Sequence, residues 1–594
     1  HQSEVLGETR NFRIFLPPDY GETQKRYPVI YWFHGWGERH NRPPGDRPGR
    51  NYDTGEDYGG DTIAAYVARH EVIVVKWDGY NPRTPDEKYP RPYNIGPVET
   101  HRQFPHYFPE LAGYIDANYR TIPDRDHRAT SGLSMGGFMS FWIAGKYPHL
   151  VSSASNFMGS SEFYGGPRGF DAEYRHDEMW PNYEGLRTRL VTGRRDFIQF
   201  YHRRMNATWL YTRPHHESED FDFDHGTPYI SRTFDFHMDA FLNPAAKPAA
   251  WSHIDVYPFF HVWGWDVASD RKRPGFTVIE NASATGFRVS VREWLPDGPI
   301  LPLVKVSVTT DQLFPKNQPR SVTFVRVTDG KPRRSQVKAD ANGRLTIELT
   351  GEDTEVGIGW TPVVVMSSYR LESAPWAAYG KLLRLRVKFL NKGGSASTAA
   401  KYRWETPNPK VVFETTDAYV PALAPGASAE VPLSFSVNDP DREAVRLYAV
   451  RDKERQSLVV PVFPEAPVST EFRIADGRAS LVFQRAIERQ SLSLGRGNGD
   501  GEVSRGEQFA VLLPDRDAFR AAELFTSDRC VDLSTRISDS WAAYDHVGGS
   551  AKYSLPTVSY DCPQGHVIRM FARVQLPDKP NHTLQYATVE VTVK

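Results

Sequence analysis

The sequence predicts a multidomain protein: an N-terminal α/β domain, with a mostly parallel sheet and helices on both faces, followed by tandem all-β sandwich domains. Three observations lead to this prediction. The chain has 594 residues, and a chain of this length is too long to fold around a single hydrophobic core. Up to about residue 243, short apolar runs alternate with helical stretches. Beyond that point apolar residues recur at every second position, the period of half-buried antiparallel strands.

The apolar runs of the first part have the length and composition of buried parallel strands. They are residues 29–33, 71–77, 128–131, 151–157 and 190–192. Most are followed by Gly or Asp, as expected of buried strands that end at functional loops. The N-terminal domain is therefore predicted to span residues 1–243.

A Pro- and Ala-rich segment marks the end of this domain. Residues 243–250 carry two prolines among small side chains, so they can neither continue a helix nor join a sheet. After it, alternating runs such as 287–292 and 383–389 are separated by turn signals such as Asn342-Gly343. We expect two or three sandwiches in tandem. The predicted boundaries are 251–365, 366–468 and 469–594.

The composition excludes several classes of protein. With 72 Lys and Arg against 73 Asp and Glu, the net charge of −1 gives no basic footprint for nucleic acid. The mean hydropathy is −0.54, and no apolar run approaches the ~20 residues that a membrane span needs. We therefore expect no nucleic-acid partner and no membrane span.

The two cysteines, Cys530 and Cys562, bear on the compartment. We predict that they form a disulfide rather than two buried free thiols, and such a bridge stabilises the fold by about 3 to 4 kcal/mol. An otherwise Cys-free chain suits an oxidising compartment. The chain begins at His1 with no initiator Met, so we expect a mature secreted or periplasmic protein whose signal peptide has been removed.

The strongest chemical signal is a G-x-S-x-G motif, Gly132-Leu133-Ser134-Met135-Gly136, directly after a predicted strand and at the start of a helical stretch. Such a tight strand-to-helix turn strains the serine backbone and exposes its hydroxyl at the sheet edge. Ser134 is therefore the candidate nucleophile. The alternative is a glycine-rich helix start that merely allows close packing.

A nucleophilic serine also needs donors for the oxyanion that develops in the transition state. Strand 29–33 runs into His34-Gly35-Trp36-Gly37, the position from which a loop N–H can pair with the N–H after the nucleophile. We assign the oxyanion hole to the backbone amides of Trp36 and Met135. His34 is expected to be structural and to hold this loop through side-chain hydrogen bonds.

The orienting acid and the base are expected later in the chain. Asp196 follows strand 190–192, where an orienting acid belongs; Glu162 and Asp171 are its competitors. Among 19 histidines, His225 follows a predicted strand at 221–224 and precedes a predicted helix at 231–242. The others near this point are expected to be solvated or packing residues, namely His215, His216 and His237. The order Ser134, Asp196, His225 predicts acyl transfer through an acyl-enzyme, with no cofactor.

Several motifs in residues 1–243 resemble the esterase branch of the α/β-hydrolases, which contains feruloyl and acetyl xylan esterases of carbohydrate esterase family 1, esterase D and enterochelin-type esterases. The motifs are Arg13-Ile14-Phe15-Leu16-Pro17-Pro18-Asp19-Tyr20, Tyr27-Pro28-Val29, His34-Gly35, Ala117-Asn118-Tyr119-Arg120, Gly132-Leu133-Ser134-Met135-Gly136-Gly137 and Lys146-Tyr147-Pro148-His149. The resemblance implies an α/β-hydrolase fold and a serine esterase. It also implies that the oxyanion donors map onto Trp36 and Met135, and the late acid and histidine onto Asp196 and His225. The long charged loop 38–60 departs from compact relatives.

Aromatic residues on the loops expected at the active face are candidate substrate contacts, because aromatic walls suit a phenolic acyl group or a sugar ring. The candidates are Trp77, Phe163, Tyr164 and Trp180, and core packing explains such aromatics equally well. Arg194 and Arg195 are candidates for contacting a carboxylate, or are simply solvated charges.

The trailing domains carry weaker signals. Residues 366–465 look similar to bacterial immunoglobulin-like adhesion modules, which usually act as spacers. Asn498, Asp500 and Glu502 resemble acidic turns that bind Ca²⁺ in some secreted domains, although they do not fit an EF-hand loop. The alternative there is a plain Gly-rich turn. A carbohydrate-binding role for a sandwich is the alternative to a spacer.

The leading hypothesis is an exported serine esterase acting on feruloyl or acetyl esters of plant polysaccharide, with sandwiches that contact the polysaccharide or cell surface. The second is an esterase for smaller esters, thioesters or siderophore lactones. The third is a binding or adhesion protein with an inactive hydrolase domain. Against the third, every part of the catalytic constellation is present in the sequence.

Overall fold

The computed structural model describes the chain with gaps. The described residues are 1–35, 38–41, 51–55, 57–79, 99–166, 172–176, 178–199, 201–202, 205–206, 209, 215–293, 300–326, 332–359, 363–406, 408–439, 444–451, 454–463, 471–482, 489–515, 518–526, 528–538, 552–575 and 584–594. They form two compact units. The first comprises His1–Ser283, Pro302–Gln318 and Lys338–Gly351, and the second comprises Ala284–Leu301, Pro319–Val337 and Glu352–Lys594.

The first unit contains a seven-stranded sheet with the order β11-β10-β7-β6-β4-β5-β3. The strands up to residue 221 are β1 (Gln2–Ser3), β2 (Glu8–Thr9), β3 (Phe12–Phe15), β4 (Val29–Phe33), β5 (Ile73–Trp77), β6 (Arg128–Gly132), β7 (Ser153–Phe157), β8 (Glu162–Gly165), β9 (Ala172–Arg175), β10 (Arg187–Gly193) and β11 (His216–Phe221). Only β3 runs antiparallel to its neighbour in this sheet, and the other pairings are parallel. The predicted mostly parallel sheet is confirmed.

The last strand of this sheet differs from the prediction. We expected a strand at 221–224, but β11 spans His216–Phe221, so His216 lies inside a strand rather than before one. The reason is that β11 is an edge strand whose side chains are largely exposed and charged. Its acidic side chains pair with Arg189 of β10, and Arg189 Nη1 lies 2.5 Å from Glu217 Oε1. An edge strand of this kind lacks the apolar signature of buried strands.

Helices cover both faces of the sheet. They are α1 (Ile63–Val67), α2 (Glu99–Asn118), α3 (Met135–Lys146) and α4 (Ile230–Leu242), and short 3₁₀ helices lie at Pro18–Gly21, Asp57–Gly60, Arg125–His127 and Trp180–Tyr183. Successive β4 side chains point to opposite faces. Trp32 meets Phe234 of α4 with ring centroids 6.0 Å apart, whereas Tyr31 meets Phe108 of α2 at 5.2 Å. The core of the unit therefore lies on both sides of the sheet.

Residues 251–358 form strands β12 (Trp251–Asp255), β13 (Phe259–Val262), β14 (Trp265–Ser269), β15 (Phe276–Ser283), β16 (Gly286–Arg292), β17 (Lys305–Thr309), β18 (Pro319–Arg326), β19 (Pro332–Lys338), β20 (Thr346–Thr350) and β21 (Thr354–Ile358). In the first unit, β12 pairs with β15, and β13-β14-β17-β20 form an antiparallel sheet. In the second unit, β21 pairs with both β16 and β18. The segment predicted as a domain at 251–365 therefore contributes to both units.

A buried ion pair joins the helical part of the first unit to β12. Lys146 Nζ at the end of α3 lies 2.6 Å from Asp255 Oδ2, and both side chains are 4% exposed. Asn182 adds two hydrogen bonds to the backbone of Ile254, at 2.7 and 2.8 Å. These contacts explain why the first unit continues past residue 243.

The second unit continues with two facing four-stranded sheets, β22-β23-β27-β25 and β26-β24-β28-β29. The strands are β22 (Val364–Leu371), β23 (Leu382–Asn391), β24 (Ala400–Glu405), β25 (Val411–Phe413), β26 (Asp417–Val420), β27 (Ser428–Val437), β28 (Ala444–Arg451) and β29 (Glu454–Pro461). Alternate residues of β23, including Leu383, Leu385 and Val387, are buried in one core shared by both sheets. This is a β-sandwich, built on the two-residue period seen in the sequence.

The remaining strands form four small sheets around two further clusters of buried apolar side chains. They are β30 (Arg473–Ala475), β31 (Gly477–Val482), β32 (Arg489–Leu494), β33 (Ala510–Asp515), β34 (Ala518–Ala521), β35 (Glu523–Phe525), β36 (Val531–Ser538), β37 (Lys552–Val558), β38 (Val567–Gln575) and β39 (Leu584–Thr592). Cys530 and Cys562 form the predicted disulfide, with their Cα atoms 5.2 Å apart. Each helix in the described part of the chain is too short or too polar to cross a bilayer.

Candidate active site

The candidate site lies at one edge of the seven-stranded sheet. Strands β4, β6, β7, β10 and β11 are parallel, so their carboxyl ends meet at this edge. The predicted nucleophile Ser134 follows β6, Asp196 follows β10 and His225 follows β11. In open α/β sheets this edge is where ligands bind.

Ser134 occupies a strained turn between β6 and α3. Its φ of +56° lies in a region that non-glycine residues rarely adopt. Its N–H donates to the carbonyl of Phe157 at 2.7 Å, which fixes the turn against β7. Strain at a serine between a strand and a helix is the geometry of a nucleophile elbow, which presents the hydroxyl above the sheet edge.

The two glycines of the motif are required by close backbone contacts. A Cβ on Gly132 would lie 2.6 Å from the carbonyl oxygen of Phe33, and one on Gly136 would lie 2.6 Å from that of His34. Real Cβ atoms do not approach oxygen so closely, so any other residue would push α3 away from β4. The G-x-S-x-G spacing therefore has a steric reason here.

Asp196 and His225 form a buried pair beside this turn. His225 Nδ1 lies 3.1 Å from each carboxylate oxygen of Asp196, and Asp196 Oδ1 also accepts the N–H of Ile198 at 3.0 Å. Burial opposes ionisation of Asp196, but its hydrogen bond to His225 and the charge interaction hold its pKa below the ordinary value. The carboxylate is fully buried, whereas the His225 side chain is 17% exposed.

One residue connects this pair to the nucleophile turn. The N–H of Gly226, next to His225, donates to the sulfur of Met158 at 3.2 Å. Met158 directly follows Phe157, whose carbonyl holds Ser134, and its own N–H donates to Val191 of β10 at 3.0 Å. Met158 is fully buried with a φ of +51°. The structure thus brings Ser134, Asp196 and His225 to one end of β7.

Of the two predicted oxyanion donors, the structure describes only Met135. Met135 is the first residue of α3, so its N–H has no acceptor within the helix. Trp36 lies outside the described residues. The loop that leads to it is anchored by His34, whose Nδ1 donates to the carbonyl of Gly35 at 2.9 Å and whose Nε2 accepts the N–H of Gly79 at 2.9 Å. Burial lowers the pKa of His34 to about 4, so it is neutral, and its predicted structural role is confirmed.

Glu38 is a second anchor of the same loop, and sequence reasoning missed it. Its Oε2 accepts the N–H of Gly35 at 3.0 Å and the hydroxyl of Tyr52, and its own N–H donates to the Gly35 carbonyl at 3.2 Å. A glutamate three residues after a turn is a common sequence feature, so only the contact with Tyr52 identifies its role.

The predicted substrate contacts differ in burial, and the side chains of two of them are not described. Trp77 is 1% exposed and packs between Phe33 and Tyr107, with ring centroids 4.3 and 5.8 Å away. It is therefore a core side chain rather than an exposed wall. Trp180 begins a 3₁₀ helix and is half-buried. The side chains of Phe163 and Tyr164 lie outside the described part of the chain.

The alternative candidates for the acid and the base form other hydrogen bonds, are exposed, or lie outside the described residues. His237 is buried between Ser153 and Ser155 at 2.9 and 2.8 Å, and is a satisfied core residue. His216 bonds Thr188 at 3.0 Å. Asp171 and the side chain of Glu162 lie outside the described residues, and His215 is exposed.

The two arginines beside the acid are paired. Arg194 lies 2.9 Å from Asp220, and Arg195 lies 2.5 Å from Asp222; all four side chains are exposed. Both arginines thus have acidic partners in the described part of the chain, and contact of either with a substrate carboxylate stays a prediction.

The predicted calcium ligands lie in an exposed turn. Asn498 Oδ1 accepts the N–H of Asp500 at 2.8 Å, and Asp500 Oδ1 accepts that of Glu502 at 2.8 Å. Glu502 also lies 3.4 Å from Lys594. These local bonds already account for the turn, and calcium binding there stays a prediction.

Comparison with known proteins finds similar sequences for part of the chain. Residues 3–236 match the family model described as "Putative esterase". Esterase Rv1288 of Mycobacterium tuberculosis is 31% identical over 160 residues, covering 27% of this chain and 31% of that protein. An endo-1,4-beta-xylanase/feruloyl esterase of Xylanibacter ruminicola is 30% identical over 153 residues, covering 25% of this chain and 19% of that protein.

Solved structures align over the same region. A CE1 ferulic acid esterase from Anaeromyces mucronatus, in complex with ferulic acid, is 19% identical with a TM-score of 0.32, covering 41% of this chain and 90% of that chain. The chain spans less than a third of the length of either of these two curated relatives. The part of the chain that is similar to known esterases is therefore residues 3–236, the span of the family-model match.

Proposed function

We propose that this chain is a carboxylic ester hydrolase in which Ser134 is the nucleophile, His225 the general base and Asp196 the residue that orients the histidine. The observation that carries the proposal is the Asp196–His225 pair, 3.1 Å apart, at the same sheet edge as the strained Ser134 turn. The match of residues 3–236 to the "Putative esterase" family model supports it.

The first half-reaction forms an acyl-enzyme. Because Asp196 holds Nδ1 of His225, Nε2 is the nitrogen that accepts the Ser134 proton as Oγ attacks the ester carbonyl. The backbone N–H groups of Met135 and Trp36 stabilise the oxyanion of the tetrahedral intermediate. When that intermediate collapses, His225 gives the proton to the leaving alkoxide, and the alcohol departs.

The second half-reaction releases the acid. His225 takes a proton from water, the resulting hydroxide attacks the acyl carbonyl, and Ser134 leaves with the proton that His225 returns. Each step moves one proton through one nitrogen, so no metal or organic cofactor is needed. The buried charge of Asp196 stabilises the imidazolium that forms in both half-reactions.

The proposed substrates are feruloyl or acetyl esters on plant polysaccharide. The endo-1,4-beta-xylanase/feruloyl esterase similarity supports this choice over small esters or thioesters. We further propose that the protein is secreted or periplasmic, in keeping with the Cys530–Cys562 disulfide, and that the all-β part of the chain contacts polysaccharide or the cell surface.

The test is hydrolysis of methyl ferulate and p-nitrophenyl acetate by the wild type and by Ser134→Ala. We expect activity on at least one ester, which falls by at least about 10³-fold in the variant. Ser140→Ala is the matched control. Ser140 is buried within α3, and we expect its substitution to leave activity unchanged. Activity that persists in Ser134→Ala contradicts the proposed nucleophile.

A further inference from the structure

An exposed aromatic ring lies against the proposed catalytic histidine. Phe197 directly follows Asp196, is 49% exposed, and packs on His225 with ring centroids 4.7 Å apart at 47°. Exposed single aromatics are common and carry no meaning by themselves. Phe197 differs because the ring it contacts belongs to the proposed proton-transfer residue.

The backbone on both sides fixes the position of this ring. The N–H of Asp196 donates to Gly193 at 3.1 Å, and the N–H of Ile198 donates to the Asp196 carboxylate at 3.0 Å. Ile198 itself is buried. Between two anchored neighbours, the side chain of Phe197 has little choice of direction, so its exposure is imposed by the turn that presents the acid.

The chemistry of the proposed reaction identifies which part of a substrate meets this ring. His225 Nε2 protonates the leaving alkoxide, so the alcohol portion of the ester must come within hydrogen-bond reach of His225. The acyl carbonyl oxygen points instead toward the N–H of Met135. A ring packed on His225 therefore lies on the alcohol side of the scissile bond.

The surroundings of Phe197 indicate the class of alcohol. The same turn carries the exposed ion pairs of Arg194 and Arg195 with Asp220 and Asp222. A lipid alcohol would need a wide apolar rim, whereas a sugar has an apolar C–H face for one aromatic ring and hydroxyls for polar neighbours. Among the described residues of this turn, one exposed ring lies beside charged side chains, and this arrangement fits a sugar.

We propose that Phe197 is a specificity-determining residue that stacks on the sugar ring of the leaving alcohol. The inference rests on the proposed function, and it extends it by assigning one side chain to the alcohol side. It predicts that Phe197 accelerates acylation by sugar esters and contributes nothing to hydrolysis of the acyl-enzyme, from which the alcohol has already departed.

The experiment compares the methyl and arabinosyl esters of ferulic acid, with acetates of the same alcohols in parallel. For Phe197→Ala we expect kcat/KM to fall about five- to tenfold for the sugar ester and less than about twofold for the methyl ester. The rate of acyl-enzyme hydrolysis is expected to stay at the wild-type value. Phe197→Tyr should keep kcat/KM for the sugar ester near the wild-type value, since tyrosine keeps the aromatic face.

Controls separate this role from a structural one. Phe259, 55% exposed on β13, gives a matched variant, Phe259→Ala, which is expected to change neither ester. Equal losses on both esters, or slower acyl-enzyme hydrolysis, would show that Phe197 only shields the Asp196–His225 pair, and would overturn the inference while leaving the esterase intact. A wild type that hydrolyses methyl but not sugar esters also overturns it. A wild type inactive on every ester overturns the proposed function itself.

Discussion

Replacing Asp196 by Asn tests whether the buried pair controls the histidine tautomer. The carboxylate accepts from His225 Nδ1 through two oxygens at 3.1 Å, so the neutral ring carries its proton on Nδ1 and leaves Nε2 free to accept one. An Asn side-chain amide would donate to Nδ1 and move the proton to Nε2, where it blocks transfer from Ser134.

The expected cost of Asp196→Asn combines the wrong tautomer with loss of the charge that stabilises imidazolium. Together these reduce kcat by about 10³- to 10⁴-fold, equivalent to about 4 to 5.5 kcal/mol in the activation free energy. The carbonyl oxygen of Asn still accepts the N–H of Ile198, so we expect the fold to persist.

The assay is steady-state hydrolysis of the better of the two test esters, with circular dichroism to confirm folding. Asp239→Asn is the matched control, because Asp239 is an exposed acid on α4 paired with Arg187 at 2.6 Å, at the start of β10 and away from the site. If Asp196→Asn retains activity within about tenfold of the wild type, the assigned role of the acid is refuted.

Three further predictions concern the stability of the two units. Gly136→Ala forces a methyl group against backbone oxygen, so we expect a loss of about 1 to 3 kcal/mol in unfolding free energy and a lower kcat; unchanged denaturation and activity would refute the steric argument. Asp255→Asn strands the buried Lys146 charge and should destabilise the first unit by about 3 to 5 kcal/mol at neutral pH, measured by urea denaturation. Burial raises the pKa of Asp255, but Lys146 and His253 together lower it further, to about 2. The pair therefore stabilises fully above about pH 4, and this contribution is lost as pH falls toward 2; the difference in unfolding free energy between variant and wild type should shrink over that window, and a constant difference would contradict the ion pair. Replacing Cys530 and Cys562 by Ser should cost about 3 to 4 kcal/mol in the second unit and leave ester hydrolysis unchanged; loss of activity would contradict the assignment of the site to the first unit alone.

The local parts of the site could be predicted from sequence because neighbouring residues determine them. The glycines around Ser134 are needed by a turn that spans five positions, and the acid and base follow parallel strands whose ends must share an edge. The structural role of His34 could be predicted because the chain order of this fold places the catalytic base last.

What the sequence pattern could not supply depends on residues far apart in the chain. The acidic edge strand β11 has no apolar signature, so the sequence predicts the strand at 221–224 instead of at His216–Phe221. Trp77 ends a strand near the site, but Tyr107 of α2 covers it, and no periodicity reveals that contact. The continuation of the first unit past residue 243 rests on Lys146 meeting Asp255, a pairing of positions that lie 109 residues apart.

Detection of the acyl-enzyme tests the central claim most directly. The wild type is mixed with excess p-nitrophenyl acetate, quenched in acid within milliseconds and digested, and the peptides are sequenced by mass spectrometry. We expect acetyl on the Ser134 hydroxyl, together with a burst of nitrophenolate that matches the enzyme concentration. His225→Ala should lose both signals. Hydrolysis without acetyl on Ser134, or with acetyl on another residue, would contradict the assignment of Ser134 as the nucleophile.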